Sequence, residues 1–284
     1  MAIRQLPSEG KPAAKSDSAG YSWEGRNFDH HVTAFADDNG LTPDEVAVAV
    51  GAIRSVVKSL SLAATREEQA GLLGDLATAH SEAVVACAKS RLLVPLIAEA
   101  GDYALTPEGR VVEKSQELSI VTVAAPDGRK VMPVFTSTEA MQNWNSKARP
   151  IPVPGVQVAI AAAEEATDLV IVDPGTATTE FGIRRPQLES FALAKPQKPS
   201  WADSGVVAAF ESISAEVANV LTVTVAPGDP QARLLGPELM LGVELKPDLS
   251  AEERRAAATQ LQDLISKNET IAHSVDSLSI KLSG

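Results

Sequence analysis

A Ser/Thr-x-x-Glu pattern recurs at Thr42 with Glu45, Thr65 with Glu68, Thr136 with Glu139, and Ser250 with Glu253, each time ahead of a segment of helical character. In such a pattern the hydroxyl accepts a backbone N–H of the first turn while the carboxylate reaches back to the cap residue, so it marks where a helix must start. Between these starts lie short apolar runs such as "RLLVP", "VMPVF" and "DLVIV", too short for helices and rich in branched residues. They read as buried strands. Helix starts alternating with such runs restrict the chain to α+β (mixed α/β) architecture, its sheets mostly antiparallel or mixed and covered by amphipathic helices.

The helical stripes are explicit. Val46, Val50, Ile53 and Val57 share one face after Thr42, and Pro43 suits a first turn. Leu72, Leu76, His80 and Val84 share another after Thr65, which reads His80 as a packed, hydrogen-bonded core residue rather than a ligand. "SIVTVAAPDGRKVMPVF" gives two β-rich runs about Pro126, Asp127 and Gly128, a hairpin signal. A Pro-rich crossover, "RPIPVPG", leads into an Ala-rich helix. The strand "DLVIV" breaks at Asp173, Pro174 and Gly175, "TTEFGI" returns as a strand, and Pro186 opens another helix.

"KPQKPSWADS" divides the chain near residue 200. The resulting division is a mobile tail at 1–40, a domain at 41–195 with an added N-terminal helix, a linker at 196–202, and a domain at 203–284. The last reads α-β-β-α-β, with Val206, Phe210, Ile213 and Val217 on one helical face and Leu261, Leu264 and Ile265 on another. Within the tail, Tyr21, Trp23 and Phe28 are candidates to dock on the body or a partner, because aromatic side chains carry much burial energy.

The hydroxyl triplet Thr136, Ser137 and Thr138 raises the question of a nucleophile, but its place between strand and helix reads as a cap, with Thr136 as N-cap and Glu139 its reciprocal partner. No GxSxG elbow, glycine-rich phosphate loop with Lys, HExxH or CxxC occurs. Glu164 with Glu165 and Glu252 with Glu253 are consecutive on helices, project about 100° apart, and read as solvated faces rather than acid/base pairs. His30 and His31, with Asp29, Asp37 and Asp38 nearby, lack the fixed i, i+4 spacing of a helical metal site. No metal, cofactor or catalytic residue is expected. Cys87 in "AVVACAKS" reads as a small buried residue.

A formal net charge of -12 disfavours nucleic acid, whose binding relies on Lys and Arg displacing counterions. With no apolar stretch long enough to span a bilayer and no apolar leader, the expectation is a soluble cytoplasmic protein without membrane or nucleic-acid partners. An unidentified protein partner is expected, and the oligomeric state is open.

Several strings taken together resemble the SseB family, the enhanced serine sensitivity protein B group: "SRLLVPLIAE", "APDGRKVMPVFTSTEAMQNW", "GVQVAIAAAEEATDLVIVDPG" and "EFGIRRPQLESFA". The resemblance covers residues 66–195 as the family's N-terminal domain and, less specifically, 203–282 as its C-terminal domain. It implies two domains and brings no established catalytic residue to carry over. The leading expectation is a non-enzymatic interaction or regulatory module linked to metabolic or stress response. A second reading is an amino-acid-like sensor binding at a strand-end rim of Asp173, Gly175, Thr176 and Thr178, residues that equally suit an Asx-type turn. A third places a hydrolase or transferase at Ser137 or Asp173.

Overall fold

Two long helices, α1 (Asp44–Leu60) and α2 (Arg66–Lys89), pack against one another and set the first layer of the core. Val46, Val50 and Ile53 of α1 and Leu76, His80 and Val84 of α2 are buried, as the period requires. The computed structural model describes residues 35, 38–97, 103–105, 111–113, 121–124 and 128–284. Tyr21, Trp23, Phe28, His30, His31 and Asp37 lie outside them.

Strand β1 (Arg91–Leu96) pairs antiparallel with β6 (Arg149–Pro154), so the expected Pro-rich crossover is a strand. The register explains how three prolines fit. Leu93 exchanges its N–H and C=O with Phe135 on the far side, which turns Leu92 and Val94 toward Val153 and Ile151. Pro152 and Pro154 therefore stand opposite Leu93 and Arg91 at positions where no ladder N–H is needed.

The largest sheet has the order β4-β5-β7-β8, from β4 (Val123–Ala124), β5 (Lys130–Val134), β7 (Leu169–Val172) and β8 (Phe181–Arg184). β4 and β5 form the expected hairpin, with Gly128 at φ +83 where a side chain is disfavoured; Pro126 and Asp127 are outside the described residues. β5 and β7 run parallel, joined by α3 (Thr138–Trp144), β6 and α4 (Gly155–Glu164), and β8 returns antiparallel. Tyr103–Leu105 (β2) and Val111–Glu113 (β3) make a separate antiparallel pair.

After a 3-10 turn at Arg185–Gln187 and α5 (Leu188–Leu193), the chain passes the stretch expected as a linker. Ser200–Ala202 there form a second 3-10 turn, and Trp201, only 6% exposed, belongs to the same hydrophobic cluster as Leu76 and Leu241. Residues 40–284 form one unit by contact, its core running from Val46 to Val275. Beyond Trp201 come α6 (Ser204–Ala215), β9 (Val220–Pro227), β10 (Leu239–Leu245), α7 (Ala251–Lys267), α8 (Glu269–Ser274) and β11 (Leu278–Ser283). The expected α-β-β-α-β order is present with one added short helix, and the sheet runs β11-β10-β9, parallel and then antiparallel.

The caps divide. Ser250 with Glu253 makes the full reciprocal pair, and Thr65 caps α2 while Glu68 reaches the Ala64 amide instead of its own cap. At α1 the first helical residue follows Pro43 and no side chain caps it, so Thr42 and Glu45 form no box. At α3 the cap is Ser137, whose Oγ accepts the Ala140 N–H at 3.1 Å, and neither Thr136 nor Glu139 takes part. Thr136 is diverted to a buried carboxylate and Thr42 to the Thr136 hydroxyl, as described below. Ser137→Ala should cost about 1 kcal/mol in urea denaturation, whereas Glu139→Ala, at an exposed position, should stay within about 0.5 kcal/mol.

Candidate functional site

The carboxyl ends of adjacent parallel strands are where open α/β sheets commonly take ligands, and here β5 and β7 end side by side at Val134 and Val172. The residues that follow, Phe135–Ser137 on one strand and Asp173–Gly175 on the other, face the same crevice. Asp173 is wholly buried and adopts a left-handed backbone, φ +48, a conformation that Asp tolerates better than most non-glycine residues. Its Oδ1 accepts the Thr136 N–H at 2.7 Å and its Oδ2 the Thr136 hydroxyl at 2.5 Å. The Thr136 hydroxyl has one proton, directed at the carboxylate, so Thr42 Oγ1, 2.9 Å away, donates to it. Burial raises the Asp173 pKa above the ordinary aspartate value, opposed by its bonds to Thr136 and Thr179 and by the charge of Arg91.

The crevice is closed from outside by the residues that lead into α1. Thr138 donates its N–H to the Gly40 carbonyl at 3.0 Å, and Arg91 donates to the carbonyls of Thr136 at 2.6 Å and Leu41 at 2.8 Å. The strand-end turn is self-contained. Thr176 N–H donates to the Asp173 carbonyl, Glu180 N–H to the Thr176 carbonyl, and Gly175 N–H, at φ +84, to Glu180 Oε1 at 2.9 Å. Of the rim residues, Gly175 and Thr178 are exposed, Thr176 is half-buried and Asp173 is fully buried. Ser137 is engaged as a cap, and burial pushes the Cys87 thiol up to about 12, with Asp173 adding to the shift.

His80 is a core residue, as its stripe predicts. Its Nε2 donates to the Pro230 carbonyl at 2.9 Å, its ring meets Phe181 and Trp201 edge-on, and burial lowers its pKa to about 4. The imidazole is neutral at pH 7. Among the described residues no group of three or more His, Cys, Asp and Glu is placed to hold a metal ion, and no helix is long and apolar enough to cross a membrane.

A second cluster was not visible in the sequence. Arg184, at the end of β8, is buried and bridges Asp229 at 2.9 Å and Asp276 at 3.0 Å while donating to the Gly236 carbonyl. Asp276 also takes Arg129 at 2.8 Å, and its N–H donates to Glu238, whose carboxyl is raised in pKa first by burial. The adjacent Arg185 donates to the carbonyls of Ala272, His273 and Val275 at the end of α8. Gly182 sends its N–H to Ala232, and Ala232 and Leu234 both have positive φ, so the β9–β10 loop is fastened along the edge of β8. The cavity among His80, Arg184, Asp229 and Glu238 measures about 10 Å³, the size of one water. Charges paired across loops leave no periodic trace; the doublet Arg184–Arg185 in an acidic chain was the one available hint.

Residues 67–190 match the model of the SseB protein N-terminal domain. That span runs from α2 through the whole β4-β5-β7-β8 sheet into α5, and it contains both Asp173 and Arg184. No curated protein and no solved structure matches the chain.

Proposed function

We propose that the chain is a non-catalytic interaction or regulatory module of the SseB type, that residues 203–284 are its SseB C-terminal-like part, and that it serves a cytoplasmic metabolic or stress response through a protein partner. One observation carries this reading: the strand-end crevice, the natural place for a ligand or reacting group, is filled by the chain itself. Gly40, Leu41 and Thr42 close it from outside, and both oxygens of Asp173 accept hydrogen bonds from Thr136. A side chain so committed is a structural clamp, and function then lies on the surface.

Two measurements test the reading. A ligand that binds only the folded state raises apparent stability by mass action, so millimolar serine and related amino acids should leave the thermal midpoint unchanged. A reproducible upward shift would instead support the amino-acid sensor. Affinity capture at native concentration, with the full chain and with the chain lacking residues 1–37, should recover the same protein partner in replicate; recovery of none counts against the interaction role.

A further inference from the structure

Open sheet edges pair with other strands unless something blunts them. Among the described residues several strand edges are blunted in recognisable ways. β6 carries Pro150, Pro152 and Pro154, β8 is covered by the β9–β10 loop through Gly182 and Ala232, β11 carries Lys281, and β4 is two residues long. β9 is different. It has eight residues, "VLTVTVAP", with no charge and no proline before its last position, in a chain of net charge -12.

The register shows which of its backbone groups are free. Gly228 N–H donates to the Glu238 carbonyl, and Leu239 turns its own N–H away toward Ser277. Counting back along the antiparallel ladder, Thr222, Thr224 and Ala226 face β10, while Val223 and Val225 direct N–H and C=O outward. Among the described residues nothing bonds to those outward groups.

We propose that this edge is the contact between two copies of the chain, pairing β9 antiparallel with β9 of a second copy about a two-fold axis at Thr224. The strand is nearly symmetric about that residue. The axis sets Val223 of each copy against Val225 of the other, so that the free N–H and C=O groups pair reciprocally, and it sets Thr224 against Thr224 on the open face, a favourable cross-strand pair. The register avoids the irregularity opposite Glu244 and Leu245. Charge selects the same place: two chains of -12 repel on average, and an uncharged edge is where like copies can approach. Leu221, 54% exposed beside this edge, is covered by the end of the second strand. The pairing joins two three-stranded sheets into one continuous sheet, an isologous contact that closes on itself. It is independent of the partner proposed above.

Light scattering coupled to size exclusion, run on the full chain across the micromolar range, tests this. Wild type should approach twice the 29.7 kDa chain mass. Val223→Pro removes an outward N–H that the β9–β10 ladder does not use, and Thr224→Lys sets two ammonium groups together at the axis. Each should raise the dimer dissociation constant at least about tenfold with circular dichroism unchanged. If Val223→Pro fails to fold, Thr224→Lys decides. A wild-type chain that stays monomeric, whatever else binds the edge, or a dimer unaffected in the folded variants, overturns the proposal. Amide exchange at Val223 and Val225 should slow as the dimer forms, and exchange that ignores concentration would count against it.

Discussion

Arg184→Met should destabilise the folded chain by about 3–5 kcal/mol, read as a lower urea midpoint, because the substitution strands a buried carboxylate. The Arg184 side chain is 5% exposed, and its partners Asp229 and Asp276 are 6% and 2% exposed. Methionine fills much of the volume but, among the described residues, leaves that Asp229 oxygen with the Leu234 N–H, 2.8 Å away, as its donor. Arg129→Ala is the matched control. Arg129 bonds the same Asp276 but is 30% exposed, so water screens the loss and about 1 kcal/mol is expected. Arg184→Lys should rescue little, since one ammonium cannot reproduce the fork that reaches Asp229, Asp276, Ser277 and the Gly236 carbonyl together. Equal effects at Arg184 and Arg129 would refute the assignment of the buried joint to Arg184.

How far this chain was legible varied with the range of the interactions involved. The stripes of α1, α2 and α6, the hairpin at Gly128 and the cap at Ser250 depend on neighbours within a few residues, and the structure contains them. Thr42 and Thr136 carry the same local pattern as Ser250, yet neither caps a helix. Ser250 is exposed at its helix start, whereas Thr136 donates its hydroxyl proton and its N–H to Asp173, thirty-seven positions away, whose buried carboxylate holds that side chain away from the helix. The prolines of β6 illustrate the same limit. Spacing by two is incompatible with a central strand but suits a strand that uses only its alternate residues for pairing, which the position of Leu93 against Phe135 decides. Arg184 left no local signal because its partners come from loops placed by the fold.

Asp173 was legible as a special residue but not as to its task, and its titration separates the possibilities. Its folded pKa is raised, burial being the first cause, so the folded state holds a proton that the unfolded chain releases near pH 4. The sign follows: the favourable contribution is complete below the unfolded value and is lost as pH rises through the folded value. Asp173→Asn removes this titration while retaining an acceptor for the Thr136 N–H, and asparagine tolerates the left-handed backbone as aspartate does. Relative to wild type, the asparagine variant should therefore gain stability as pH climbs from about 4, then level off once the wild-type carboxyl has ionised. Glu238, likewise raised by burial, contributes in the same direction, and His80, lowered to about 4, in the opposite one; both are present in each chain and cancel in the difference. Asp173→Ala leaves the Thr136 N–H and hydroxyl without their acceptor and puts alanine at φ +48, for a loss of about 2–4 kcal/mol at neutral pH. A chemical role would give another pattern: an asparagine variant as stable as wild type across the whole pH range but defective in a biological assay. A pH-dependent stability difference with function intact assigns Asp173 to holding β5, β7 and the entry to α1 together.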